Sequence, residues 1–112
     1  MRLYKEYKKH KYASGETKYI YGKKVEEGQL VKLHRISGTF ENVATTEYIE
    51  LGVYDGAKHI EIAKKQPDGV GYLVHESGTY YMGEGDQVYV YCADVADGEE
   101  ITLIANGVYL MH

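Results

Sequence analysis

The chain alternates apolar and polar side chains at every second position, in short segments separated by turn residues. The clearest segment is 88–92, in which Val88, Val90 and Cys92 alternate with Tyr89 and Tyr91. A period of two residues indicates a strand with one buried face, and turns recurring roughly every 8 to 12 residues are typical of sandwiches and barrels. Beyond the first 24 residues, no segment carries a convincing apolar stripe of helical period. The pattern therefore predicts an all-β fold, an antiparallel jelly-roll-like β-sandwich of about eight strands.

Turn residues divide the sequence into the predicted strands. Ser37-Gly38 and Ser77-Gly78 are expected to end strands, and the loop 64–69, which holds the only proline, is expected to be an exposed turn. Asp55-Gly56 and Asn106-Gly107 are hairpin signals because their residues tolerate positive φ angles. The predicted strands lie at 30–36, 48–54, 60–62, 71–75, 80–82, 88–92, 101–105 and 108–111.

Basic residues are concentrated at the N-terminus. Residues 1–24 hold eight Lys and Arg, two Glu and five Tyr, a formal charge of +6, whereas the remaining 88 residues carry −10. We expect an extended basic arm over residues 1–24, followed by a sandwich domain over 25–112. Terminal charge runs are often simply solvated, but disordered segments are poor in aromatic residues, so five tyrosines favour docking on an acidic protein surface. The side chains expected to bind the partner are Arg2, Tyr4, Lys5, Tyr7, Lys8, Lys9, Lys11 and Tyr12.

Nucleic acid and membranes fit the sequence less well as partners. The acidic body and the net charge of −4 would oppose a long polyanion lying across the molecule. No stretch approaches the roughly 18 apolar residues of a membrane span. Lys and Tyr occupy the place of an apolar signal region, so synthesis in a cytoplasm is expected.

Tyrosine is unusually abundant, with thirteen residues against one Phe and no Trp. Tyr48, Tyr54, Tyr89 and Tyr91 are predicted to lie on strand faces opposite the apolar residues. Such a face can form a protein interface or stack sugars, or it can simply cover the sandwich. Sugar-stacking platforms usually include Trp, so the sequence favours an interface.

The sequence contains no catalytic constellation, and we expect a non-enzymatic protein without metal or cofactor. His59 and Glu61 share one strand face, and with His34 or His75 a cupin-type metal site is conceivable, but the H-x-H spacing of cupins is missing. The acidic turn of Asp94, Asp97, Glu99 and Glu100 lacks the order of an EF-hand loop. We interpret it as a solvated turn.

Cys92 is the single cysteine, so the chain forms no internal disulfide. Its alternation with tyrosines predicts that it points inward with Val88 and Val90. A buried thiol without a basic neighbour behaves as a small hydrophobe, so a nucleophilic role is not expected.

Several strand-and-turn patterns resemble small jelly-roll accessory proteins on the heads of tailed bacteriophages. They are Thr46 to Gly56, Val70-Gly71-Tyr72, Tyr81 to Val88, and Asp97 to Leu103 with Asn106-Gly107, so that the resemblance covers roughly residues 30 to 110. It implies a virion protein that decorates or stabilises the capsid. The implied partner is the major capsid protein or another virion protein, and the implied state is a homo-oligomer, with a trimer favoured.

Cellular jelly-roll domains share this pattern of strands and turns, among them tumour-necrosis-factor-like and carbohydrate-binding domains. The alternative function is therefore a carbohydrate-binding module that uses the tyrosine residues named above.

Overall fold

The structure is a computed structural model that describes residues 2–40, 48–65, 73–95 and 97–111. These residues form eight β-strands and no helix, which confirms the predicted all-β class. The strands are β1 (Arg2–Lys11), β2 (Glu16–Tyr21), β3 (Leu30–Phe40), β4 (Ile49–Tyr54), β5 (His59–Lys65), β6 (Leu73–Met82), β7 (Gln87–Val95) and β8 (Glu100–Met111).

The strands form two antiparallel four-stranded sheets. Sheet A has the order β1-β8-β3-β6, and sheet B has the order β2-β7-β4-β5. Every connection except that between β4 and β5 passes from one sheet to the other, which is the jelly-roll arrangement. The predicted jelly-roll-like sandwich is thus confirmed.

The core lies between the sheets and is built by the period-2 alternation. Leu33 and Ile36 of sheet A and Leu51, Val90 and Cys92 of sheet B have no exposed surface. Their strand neighbours point away from the core, because successive side chains of a strand lie on opposite faces. Each sheet therefore has an outer face, on which side chains are available for contacts.

The basic N-terminal segment is extended, as predicted, but it is part of both sheets. All ten residues of β1 pair with β8, and β2 pairs with β7. Tyr4 and Tyr12 are only 1% and 2% exposed and belong to the core. The boundary expected at residue 24 therefore does not separate an arm from the sandwich. The alternation of Tyr4, Glu6 and Lys8 obscured this, because polar side chains occupy inward positions at the sheet edge.

Three glycines that were expected to end or turn strands lie inside long strands instead. β3 continues through Gly38, β6 through Gly78, and β8 through Gly107. At Gly107 a Cβ atom would collide with the carbonyl oxygen of Lys32, so the absent side chain allows two strands to approach closely. The predicted Asn106-Gly107 hairpin is therefore wrong.

Turns do occur at other glycines, including the predicted Gly56. Gly56, Gly85 and Gly98 adopt the positive φ values of 95°, 85° and 79° that favour glycine. The Asp55-Gly56 signal marks a four-residue turn rather than a two-residue hairpin, since β4 ends at Tyr54 and β5 begins at His59. Residues 66–72, which include most of the predicted loop and the Val70-Gly71-Tyr72 pattern, lie outside the described residues.

Candidate binding face

In the described part of the chain, the outer face of sheet B carries seven aromatic rings, which we call the tyrosine face. The pairing of β2 with β7 sets Tyr19 opposite Tyr91 and Tyr21 opposite Tyr89, and the pairing of β4 with β5 sets Tyr54 opposite His59. Cross-strand partners lie close enough for their rings to touch. The members of the tyrosine face are Tyr19, Tyr21, Tyr48, Tyr54, His59, Tyr89 and Tyr91.

Tyr89 forms the base of this face. Its partner across the strands is Gly52, where a Cβ would come within 2.9 Å of the ring carbon Cε1 of Tyr89. The missing side chain lets the ring lie over β4, where its hydroxyl donates a hydrogen bond to Glu50 Oε2. Tyr89 has no exposed surface, and burial together with this hydrogen bond raises its pKa. The phenol of Tyr89 is therefore neutral, and its ring is held in place by burial and by the hydrogen bond to Glu50.

The other rings cover Tyr89 in a stacked row centred on His59. The imidazole lies 3.9 Å from the ring centroid of Tyr19 at an interplanar angle of 21°, and 4.5 Å from that of Tyr54 at 28°. Tyr19 continues the row to Tyr91, with centroids 4.4 Å apart. Offset and tilted contacts of this kind each stabilise the arrangement by about 0.5–1.5 kcal/mol beyond burial. The row is thus ordered before any ligand binds.

Polar contacts fix the row further. The Tyr21 hydroxyl is 2.7 Å from His59 Nε2, and the Lys64 ammonium lies 4.1 Å from the ring centroid of Tyr48. Burial is the main cause that raises the pKa of both Tyr19 and Tyr21. Their hydroxyls are accordingly neutral near pH 7, when each can donate one hydrogen bond and accept others.

The sequence anticipated part of this face. Tyr48, Tyr54 and Tyr91 are half-buried on it, but Tyr89 lies underneath and cannot touch a partner directly. Tyr19 and Tyr21 were missed because the charge of their neighbours placed them in the expected arm. The signal was present, since they flank the buried Ile20 with the same period-2 alternation.

The structure distributes the expected basic contact residues over different surfaces. Tyr4 and Tyr12 are core residues, so a partner cannot reach them without unfolding. Arg2 lies over the Tyr109 ring at 4.1 Å. Lys8 faces β2 and lines a depression with Tyr19 and Tyr21.

The other four basic-segment residues share the outer face of sheet A. They alternate along β1 with the inward residues, and all are exposed: Lys5, Tyr7, Lys9 and Lys11. Lys9 is 3.8 Å from Glu100, an exposed pair that contributes little stability.

The other candidate features from the sequence are a metal site, a reactive thiol and a membrane span. His59 is committed to the aromatic row, and within the described ranges no group of three or more His, Cys, Asp or Glu side chains is arranged to hold a metal ion. The side chains of His75 and Asp94 lie outside the described part. Burial raises the pKa of the Cys92 thiol to about 12, which disfavours the reactive thiolate. Among the described residues no helix is long and apolar enough to cross a membrane.

Comparisons with known proteins give little further information. No protein-family model and no curated protein sequence matches the chain. Among the solved structures that match is one described as "CBM4 structure and function". It aligns with 93% of this chain and 82% of its own, at 12% sequence identity and a TM-score of 0.42. A likeness of that degree does not bear on function.

Proposed function

We propose that the protein is a non-enzymatic binding domain whose tyrosine face recognises a carbohydrate chain. The observation that carries the proposal is the stacked row of half-buried rings around His59. A sugar presents both C–H surfaces and hydroxyl groups, and a tyrosine offers an apolar ring together with a hydroxyl that donates and accepts. Because the side chains are already ordered, binding costs little further rotamer entropy.

The contacts of the polar groups support a binding role rather than catalysis. Glu50 accepts the Tyr89 hydrogen bond, and His59 is held by Tyr21 and stacked on both sides. A general acid or base must instead reach a substrate proton in a suitable geometry. The two groups are therefore better suited to holding rings in place than to transferring protons.

The proposal is tested with a glycan array, followed by calorimetry on any glycan that binds. Replacing Tyr54 or Tyr91 by Ala should weaken binding at least about tenfold, as expected for an aromatic hot spot. Tyr81→Ala is the matched control, since Tyr81 is 59% exposed on the outer face of sheet A. Tyr89→Ala is unsuitable as a binding test because Tyr89 is buried. An array without hits for the folded wild-type protein would contradict the proposal.

Capsid decoration is the second candidate, and it is favoured by the position of the β1 lysines. Lys5, Lys9 and Lys11 lie on the outer face of sheet A, away from the tyrosine face. One side of the sandwich is thus suited to attachment on an acidic lattice, which would leave the other side outward. Co-sedimentation with phage particles should fall for a Lys5→Glu/Lys9→Glu variant and with rising salt. Equal sedimentation of this variant and wild type would eliminate electrostatic attachment through β1, and a monomer on the particle would eliminate the expected trimer.

A further inference from the structure

A shallow groove crosses the outer face of sheet A from β3 to β1. It consists of two depressions of about 320 and 280 Å³ that share Ile104 and Asn106. The strand pairing sets both Arg35 of β3 and Lys5 of β1 opposite Asn106. We call this the cross-strand groove, and its remaining lining residues are Ser37 and Thr39 at the Arg35 end and Glu6, Tyr7 and Ala105 at the Lys5 end.

Arg35 is the unusual residue of the groove. Its Nε atom is buried, yet it has no hydrogen-bond partner in the structure. A buried donor without a partner is unfavourable, and more so when it belongs to a charged group, so an acceptor supplied by a ligand would remove an existing penalty. Thr39 and Asn106 line the same depression and can donate further hydrogen bonds. The depression therefore has the donor set of an anion site.

Protection of a sheet edge does not explain Arg35. Lysines along an exposed edge strand prevent pairing with other chains, and this accounts for Lys5 and Lys9 on β1. β3, however, lies between β8 and β6 and has no exposed edge. The Arg35 guanidinium therefore lowers stability through its unpartnered Nε and does not protect a sheet edge. This combination favours a binding role.

The surroundings of the groove indicate a protein partner. Leu3, Tyr7, Tyr81 and Leu110 are between 46% and 63% exposed on the same face. Aromatic and aliphatic side chains beside an Arg are typical of protein interfaces. A nucleic acid would instead have to approach a molecule of net charge −4 as a long polyanion.

The charge of this face is complementary to an acidic segment. The described charged side chains that point outward from sheet A are Lys5, Lys9, Lys11, Lys32 and Arg35, against Glu100 alone. We infer that the cross-strand groove binds an acidic protein segment, with one carboxylate held by Arg35 and neighbouring apolar side chains against Tyr7 and Tyr81. This site is independent of glycan binding on the opposite face, and it would give the second candidate function a specific anchor.

The test is an NMR titration of the full chain with a short peptide of alternating Glu and Leu. The amide signals of Arg35, Asn106 and Lys5 should shift. Arg35→Gln should weaken binding about tenfold or more, as expected for loss of a charged hydrogen bond. Lys58→Gln, which removes the same charge from an exposed turn, should leave the affinity nearly unchanged. Arg35→Lys keeps the charge but lacks the guanidinium fork, so it should bind more weakly than wild type.

The inference would be overturned by equal affinity of Arg35→Gln and wild type, by shifts confined to the tyrosine face, or by equal binding of a peptide of alternating Gln and Leu. An oligonucleotide that displaces the Glu peptide at lower concentration would assign the groove to nucleic acid instead. A thermal unfolding curve of Arg35→Gln that matches wild type establishes that the variant is folded. Glycan binding that persists when peptide binding fails would reject this site while leaving the proposed function intact.

Discussion

At the scale of single residues, the tyrosine face depends on a pairing of the smallest side chain with one of the largest. Gly52 provides the space in which the Tyr89 ring lies, and Tyr89 reaches Glu50 from there. The rings of Tyr19 and His59 then contact Tyr89 edge-on, with centroids 5.5 and 4.9 Å away. The order of the exposed rings therefore rests on a residue that no ligand touches.

Removing only the hydroxyl tests this dependence. Tyr89→Phe should lower the free energy of unfolding by roughly 1–3 kcal/mol, because it deletes the hydrogen bond to the Glu50 carboxyl group while the ring remains. Urea unfolding followed by circular dichroism measures the change. Tyr81→Phe, at an exposed position, is the control and should stay within about 0.5 kcal/mol of wild type. Equal stability of the two variants would show that the Glu50 contact does not hold the ring.

At the scale of strands, β1 is the element that the sequence assigned least well. Its inward positions hold Tyr4, Glu6, Lys8 and His10. Three of these side chains are polar or charged, so the sequence does not indicate a buried face. Glu6 nevertheless stabilises the fold, because its carboxylate accepts a hydrogen bond of 2.7 Å from the Lys23 backbone N–H. An edge strand can tolerate such residues because Glu6 and His10 are only half-buried and Lys8 is exposed. Local alternation of apolar residues therefore could not identify it.

Deletion of residues 1–12 distinguishes a strand from a detachable arm. The truncation removes Tyr4 and Tyr12 from the core and leaves β8 with an unpaired edge. We expect loss of the cooperative unfolding transition, or aggregation through the newly exposed edge. Circular dichroism and size-exclusion chromatography measure both. A truncated protein that stays monomeric and unfolds cooperatively would restore the arm as a separate segment.

The predicted number of strands, eight, agrees with the structure, but several of the predicted strands do not correspond to observed ones. The described residues 73–75 of one expected segment and the expected segment 80–82 belong to one strand, β6, and 101–105 and 108–111 belong to β8. The basic segment supplies two strands, β1 and β2, where a single extended arm was expected. Gly78 and Gly107 caused the division, because a sequence does not reveal whether a glycine serves a turn or a close approach of strands. By contrast, the inward positions of Val88, Val90 and Cys92 in β7 were predicted correctly.

At the scale of the whole molecule, one core joins two outer faces of different chemistry. Tyr4 and Tyr12 enter the core from β1 and the turn after it, beneath the basic face, and Tyr89 lies beneath the aromatic row. Burial is the main cause that raises the pKa of all three tyrosines, and it raises that of Cys92 to about 12. These four groups are neutral in the folded protein, so their ionisation is linked to unfolding.

The linkage predicts how the protein loses stability in alkali. The ordinary pKa values are 9.0 for the thiol and 10.0 for tyrosine, and the folded-state values are higher. The folded state thus retains protons that the unfolded state releases. The resulting stability is fully present below about pH 9 and is lost as the pH rises through and beyond 10.

A titration that follows tyrosinate absorption together with circular dichroism tests this prediction. Part of the absorption should appear only as the β-sheet signal disappears, and that part should correspond to Tyr4, Tyr12 and Tyr89. The Tyr89→Phe variant should lose one tyrosine from this late phase, which identifies its contribution directly. Ionisation of all thirteen tyrosines while the β-sheet signal persists would contradict the burial that the fold requires.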